Sequence, residues 1–154
     1  DAALMKDLSE KGSYTVTENM RQFMSDFRGG FATEAQNEAT IRKIFEDTGY
    51  LIDTHTGVAA TVYNAYKAET GDQTKTVIAS TASPYKFSKA VLEAVSDGTD
   101  LPENEFDMVE KLFEVSNAPV PAPLAALKDK KARFSDVTEV NSMSQYVLDA
   151  LNIK

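Results

Sequence analysis

The chain has 154 residues, a formal charge of −8, a pI near 4.7 and 42% hydrophobic residues, enough to bury an ordinary core in a globular domain or in a substantial part of one. The acidity argues against a nucleic-acid partner, because phosphate binding needs a concentrated basic face. No stretch has the apolar length that a bilayer demands, the absence of cysteine excludes disulfides and thiolate metal sites, and with no leader-like pattern in Asp1 to Asp7 the expected compartment is the cytoplasm.

Leu4 to Leu8 predict a short helix, and Ser13 to Thr17, alternating and β-branched after Gly12, predict an edge strand. Met20, Phe23, Met24 and Phe27 resume helical spacing, and the Arg28-Gly-Gly that follows reads as a loop. Thr33 with Gln36 has the pattern of a capping box, and Ile41, Ile44 and Phe45 supply the buried stripe of a helix ending near Gly49. Asp53 is expected to cap a helix over 54–70, with Val58, Val62 and Tyr66 at i, i+4 spacing and Gly71 at its end. Val77, Ile78 and Ala79 predict a buried strand over 76–80. Ser83 as N-cap and Pro84 at the first helical position then open a helix over 84–95 carrying Phe87, Val91 and Val95, stopped by Gly98. Pro102 is expected to start the next helix, with Phe106, Val109, Leu112 and Phe113 inward. Pro119, Pro121 and Pro123 form an extended connector, followed by helices over 124–131 and 143–151. Between Glu93 and Glu114 Lys111 is the only base among many acids, a pattern that fits a solvated helical face or, alternatively, a docking surface for a basic partner. Two or three strands are too few for a complete doubly wound sheet, so partner strands are expected elsewhere in a longer chain.

The strand, turn and helix of 76–87 put Ser80 and Thr81 at the carboxyl end of a strand. That edge is where open α/β sheets bind ligands, beside helix N-termini that favour anions. The two hydroxyls either meet a ligand or satisfy backbone groups at the strand end. His55 is the single histidine, and residues two apart do not face each other within a helix, so an Asp53–His55 dyad is expected to be poor and Asp53 is read as a cap. His55 either lines a site or makes a structural hydrogen bond. Lys86, near the third helical position, is either close to an anion or simply solvated. One histidine and no cysteine give no metal cluster.

Ala79-Ser-Thr-Ala-Ser-Pro-Tyr-Lys-Phe87 resembles the threonine synthase segment written STASPAKF, and Ile52-Asp-Thr-His-Thr-Gly-Val-Ala59 is similar to that family's DPHTAVA, with Thr54 in place of Pro and Gly57 in place of Ala. Asn117-Ala-Pro-Val-Pro-Ala-Pro-Leu124 resembles the proline-rich run before the last helices of these enzymes. The motifs stand in the family's order, and the resemblance runs from about Phe27 to Leu127. It implies an α/β class: a helix-rich carboxyl-terminal portion of the three-layer, tryptophan-synthase-β-like fold of fold type II pyridoxal phosphate enzymes, with few strands. Residues 1–154 would be one region of the catalytic domain, with terminal helices from about 122.

The resemblance further implies a parent enzyme that converts O-phospho-L-homoserine and water to L-threonine and phosphate with pyridoxal phosphate. In that reading Thr81 meets the pyridine nitrogen, with Ser80 as its rival, while Asp53, His55, Thr56 and Lys86 line the substrate site. The family's cofactor-binding lysine and glycine-rich phosphate cradle have no match here. No catalytic residue is therefore assigned, the isolated chain is expected to be inactive and free of cofactor, and its partners are the substrate and the rest of the same polypeptide. The alternatives are a fragment of another fold type II lyase and a non-catalytic, acidic, helical interaction module.

Overall fold

The computed structural model describes residues 2–96 and 101–153. The helices are α1 (Ala2–Lys11), α2 (Glu18–Phe23), α3 (Glu34–Thr48), α4 (Thr54–Thr70), α5 (Ser88–Val95), α6 (Glu105–Ser116), α7 (Ala122–Ala125) and α8 (Met143–Ala150). Short 3₁₀ turns at Pro84–Phe87 and Val140–Ser142 lead into α5 and α8. The chain divides into two units, residues 1–118 and 119–154.

In the first unit α3 packs on both α4 and α5, and α5 also packs on α6. The core between them is Ile41, Ile52, Tyr85, Val91, Leu92, Met108 and Leu112. Each large side chain withdrawn from water in this way stabilises by about 1.5–3 kcal/mol. The caps that the sequence signals for α3 and α4 are made. Thr33 Oγ1 accepts from the Gln36 N–H at 3.3 Å while the Gln36 side chain accepts from the Thr33 N–H at 2.9 Å, and Gly49 ends α3 in the left-handed region. Asp53 caps α4, and Gly71 closes it at φ 69, a conformation that glycine adopts without a Cβ clash.

Helix α3 approaches α4 closely at Gly57. A Cβ built there would lie 2.2 Å from Asn37 Oδ1 and 2.9 Å from Ile41 Cγ1, so the small residue sets the spacing of the pair. Arg42 on α3 reaches across to α5, where its guanidinium donates to the carbonyls of Glu93 at 3.3 Å and Ser96 at 3.2 Å. It thereby satisfies carbonyls that the end of a helix leaves open.

Several expectations are corrected. No strand occurs among the described residues, so neither Ser13–Thr17 nor 76–80 is one. Both segments are non-helical, but a strand exists only through a ladder with a neighbour, and none is present. Val77, expected in a sheet core, is 94% exposed. The helix from Met20 stops at Phe23 and continues as turns to Phe27. The helix expected over 84–95 begins as a 3₁₀ turn: Ser83 Oγ caps it by accepting from the Tyr85 N–H, and the Ser83 carbonyl accepts from the Lys86 N–H three residues on. Asn104, not Pro102, opens α6, its side chain accepting from the Phe106 N–H at 2.8 Å. In α6 Leu112 is buried and Phe106 and Val109 half-buried, while Phe113, expected inward, is 44% exposed and Met108 is buried in addition. The stop expected at Gly98 lies outside the described residues.

Tyr85 ties the 3₁₀ turn to the end of α6, its buried phenol donating to the Ala118 carbonyl. In the second unit, helix expected over 124–131 is confined to Ala122–Ala125, with Pro123 in its first turn, and single turns follow. Helix α8 forms where its apolar spacing predicts, and the Tyr146 phenol donates to Asp136 at 2.8 Å.

Candidate functional site

The start of α4 and the turn after residue 79 meet. The Asp53 carboxylate is fully buried. Its Oδ2 accepts from the His55 backbone N–H at 2.9 Å and lies 3.2 Å from His55 Nδ1. Its Oδ1 accepts from the Thr56 backbone N–H at 3.3 Å and from the Thr56 hydroxyl. Burial pushes this carboxyl upward, but the bonds from the Thr56 hydroxyl, the two backbone N–H groups and the His55 ring outweigh it, and the group is held below the usual carboxylate value. Thr56 Oγ1 in turn stands 3.0 Å from Ser80 Oγ.

The contact of Asp53 with His55 departs from the expectation. Spacing rules for helix faces apply to residues on the helical lattice, and Asp53, at φ −83 and ψ 170, is an extended N-cap outside it. From there its carboxylate folds back over the first turn and meets the imidazole two residues on. The ring also packs against Phe87, with centroids 4.9 Å apart and planes tilted by 53°. Phe87, which sequence reasoning assigned to a helix stripe, thus touches this cluster; its place in the same motif as Ser80 is the signal that could have found it.

His55 lines an open groove of about 930 Å³. One wall is the loop of residues 25–30, the floor is the face of α4 with Val62, Tyr63 and Tyr66, and the other wall is the segment Thr76–Ala79. Arg28 stands in this wall but is paired with Glu69. Ser80 follows directly on the second wall, and Ser80 and Thr81 are both exposed. Lys86 is exposed on the 3₁₀ turn and does not line the groove. The structure thus brings Asp53, His55, Thr56 and Ser80 together, puts Thr81 next in the chain, and leaves Lys86 apart.

The oxygen and imidazole groups of this cluster suit the nitrogen edge of a pyridine ring, which a hydroxyl can meet as donor or acceptor. The guanidinium that lines the groove, Arg28, is paired with Glu69. Among the described residues no group of three or more histidine, aspartate or glutamate side chains could hold a metal ion, and no helix is long and apolar enough to cross a membrane.

Comparison with known proteins agrees with these motifs. Residues 56–147 match the family described as threonine synthase, C-terminal. A threonine synthase from Corynebacterium glutamicum is 26% identical over 125 residues, which cover 81% of this chain and 22% of that protein. The chain therefore spans about a fifth of that relative's length. With well over half of its residues inside the family match, the chain belongs to the threonine synthase C-terminal family.

Proposed function

We propose that this chain is the carboxyl-terminal part of a threonine synthase, a cytoplasmic enzyme that converts O-phospho-L-homoserine and water to L-threonine and phosphate. The observation that carries this reading is the bridge from Thr56 Oγ1 to Ser80 Oγ, which joins the two family-like motifs at the end of one groove. Pyridoxal phosphate, when bound, supplies the electron sink that such a reaction needs. In the proposal Ser80 and Thr81 present hydroxyls to the nitrogen edge of its ring, Asp53 and Thr56 hold that edge in place, and His55 lines the substrate side. The lysine that binds the cofactor covalently and the cradle for its phosphate would come from the rest of the polypeptide, as would strands that pair with residues 76–80 in a fold type II sheet. A lyase of the same cofactor class with another substrate would use this wall equally well, and assay on O-phospho-L-homoserine separates the two.

The test is made in the full-length protein carrying this segment, by following release of phosphate and formation of threonine. Thr81→Ser is expected to keep most of the activity. Thr81→Ala should lower turnover by roughly threefold to tenfold, the value of about 0.5–1.5 kcal/mol for one neutral hydrogen bond, with cofactor retained. An alanine variant with unchanged turnover and an unchanged cofactor spectrum would refute the role of Thr81, and a full-length protein inert toward the substrate would refute the activity.

A further inference from the structure

The buried cluster fixes where its protons go. An ionised carboxylate only accepts hydrogen bonds, and a threonine hydroxyl has one proton to give. Thr56 Oγ1 is within bonding distance of both Asp53 Oδ1 and Ser80 Oγ. A bond to a charged oxygen is roughly twice as strong as a neutral one, and a buried carboxylate deprived of a donor is costly, so the Thr56 proton belongs to Asp53. Thr56 Oγ1 can then only accept from Ser80. The single Ser80 hydroxyl proton is spent on Thr56, and Ser80, an exposed residue, keeps lone pairs that can accept. The same reasoning applies to the imidazole. Nδ1, 3.2 Å from Asp53 Oδ2, must carry a proton, and in the neutral ring Nε2 is then an acceptor. The His55 side chain is 65% exposed and lines the groove, so that acceptor is open to a ligand.

We propose that Asp53 is a positioning residue that sets the polarity of the site. By taking the protons of His55 Nδ1 and Thr56 Oγ1 it leaves His55 Nε2 and Ser80 Oγ as acceptors, so this cluster selects a ligand group that arrives as a hydrogen-bond donor, of the class of a protonated amine.

His55 is the single histidine, so the ¹⁵N spectrum of the labelled 154-residue chain contains one imidazole. At a pH where the ring is neutral, Nδ1 is expected to be the protonated nitrogen. Asp53→Ser keeps a capping oxygen for α4 but has no carboxylate to reach the ring, and should move the population toward the Nε2–H tautomer. An Nε2–H tautomer in the wild-type chain overturns the proposal, even if the variant fails to fold. A tautomer unchanged in a folded Asp53→Ser variant overturns it too. Two cations of equal charge then test the ligand class. Methylammonium, which donates, should shift the His55 Nε2 and Ser80 resonances, and tetramethylammonium, which cannot donate, should not. Thr56→Val, similar in shape but unable to accept, frees the Ser80 proton and should weaken the Ser80 response to methylammonium. Equal responses to the two cations, or a Ser80 response indifferent to Thr56→Val, overturn the assignment. None of these readouts needs a cofactor. A full-length protein that fails to bind pyridoxal phosphate would therefore remove the proposed function and leave this result standing.

Discussion

Gly57→Ala puts two opposed effects of known size on one position. An alanine in a helix interior is favoured over glycine by about 0.8–1 kcal/mol. Against that, the new Cβ would meet Asn37 Oδ1 at 2.2 Å and Ile41 Cγ1 at 2.9 Å, both inside the closest approach that packed carbons adopt. Ile41 is 1% exposed and Asn37 6%, so either must shift within the helix interface to make room. Over-packing of this kind costs about 1–3 kcal/mol, so the expected net effect is a destabilisation of around 1 kcal/mol. The partner can be removed as well. Asn37 Oδ1 is buried and has no hydrogen-bond partner, so Asn37→Ala deletes the nearer clash and gives up no bond to that oxygen. In the Asn37→Ala background Gly57→Ala should be close to neutral or stabilising, with a coupling of about 1–2 kcal/mol between the two sites. Urea unfolding of the four proteins measures this as midpoint shifts at constant slope. Additive effects, or a Gly57→Ala variant more stable than the parent, would refute the claim that this glycine sets the helix spacing.

Three further outcomes are expected. The Asp53 carboxyl is held below its unfolded value, so its contribution to stability is complete above the ordinary carboxylate pKa of about 3.9 and is lost as pH falls through the lower folded value. The difference in urea midpoint between the parent and Asp53→Asn should therefore shrink in acid, and a difference independent of pH would speak against a folded-state ionisation. Tyr85→Phe removes the bond that a buried phenol makes to the Ala118 carbonyl and should cost about 0.5–1.5 kcal/mol; an unchanged thermal midpoint would show that water replaces it freely. Mixed with pyridoxal phosphate and borohydride, the isolated chain should show only scattered labelling of surface lysines, whereas a stoichiometric adduct at one lysine, Lys86 being the first to inspect, would mean that the chain holds its own cofactor-binding lysine.

The elements legible in the sequence are those decided within a few residues. Thr33 with Gln36, Asp53, Gly49 and Gly71 mark the ends of α3 and α4 because a cap is satisfied by its immediate neighbours. What was not legible depends on partners far along the chain. Nothing local says that Arg42 reaches the carbonyls at the end of α5, or that Asn37 lies over Gly57. The Asp53–His55 contact was misread for a different reason: helical spacing was applied to a residue that stands just outside the helix.

The segment 76–80 separates what a strand needs from what the site needs. Its apolar run has strand character, but Val77 is 94% exposed and the described residues offer no edge for it to pair with. The turn beyond it does not depend on such a ladder. Ser80 is bonded to Thr56 on α4, and three residues later Ser83 caps the 3₁₀ turn whose Tyr85 is buried and anchored at Ala118. The hydroxyl of Ser80 is therefore positioned from both sides by helical elements with their own core. That is why the two motifs can meet in this chain even where the sheet expected to carry one of them is not formed.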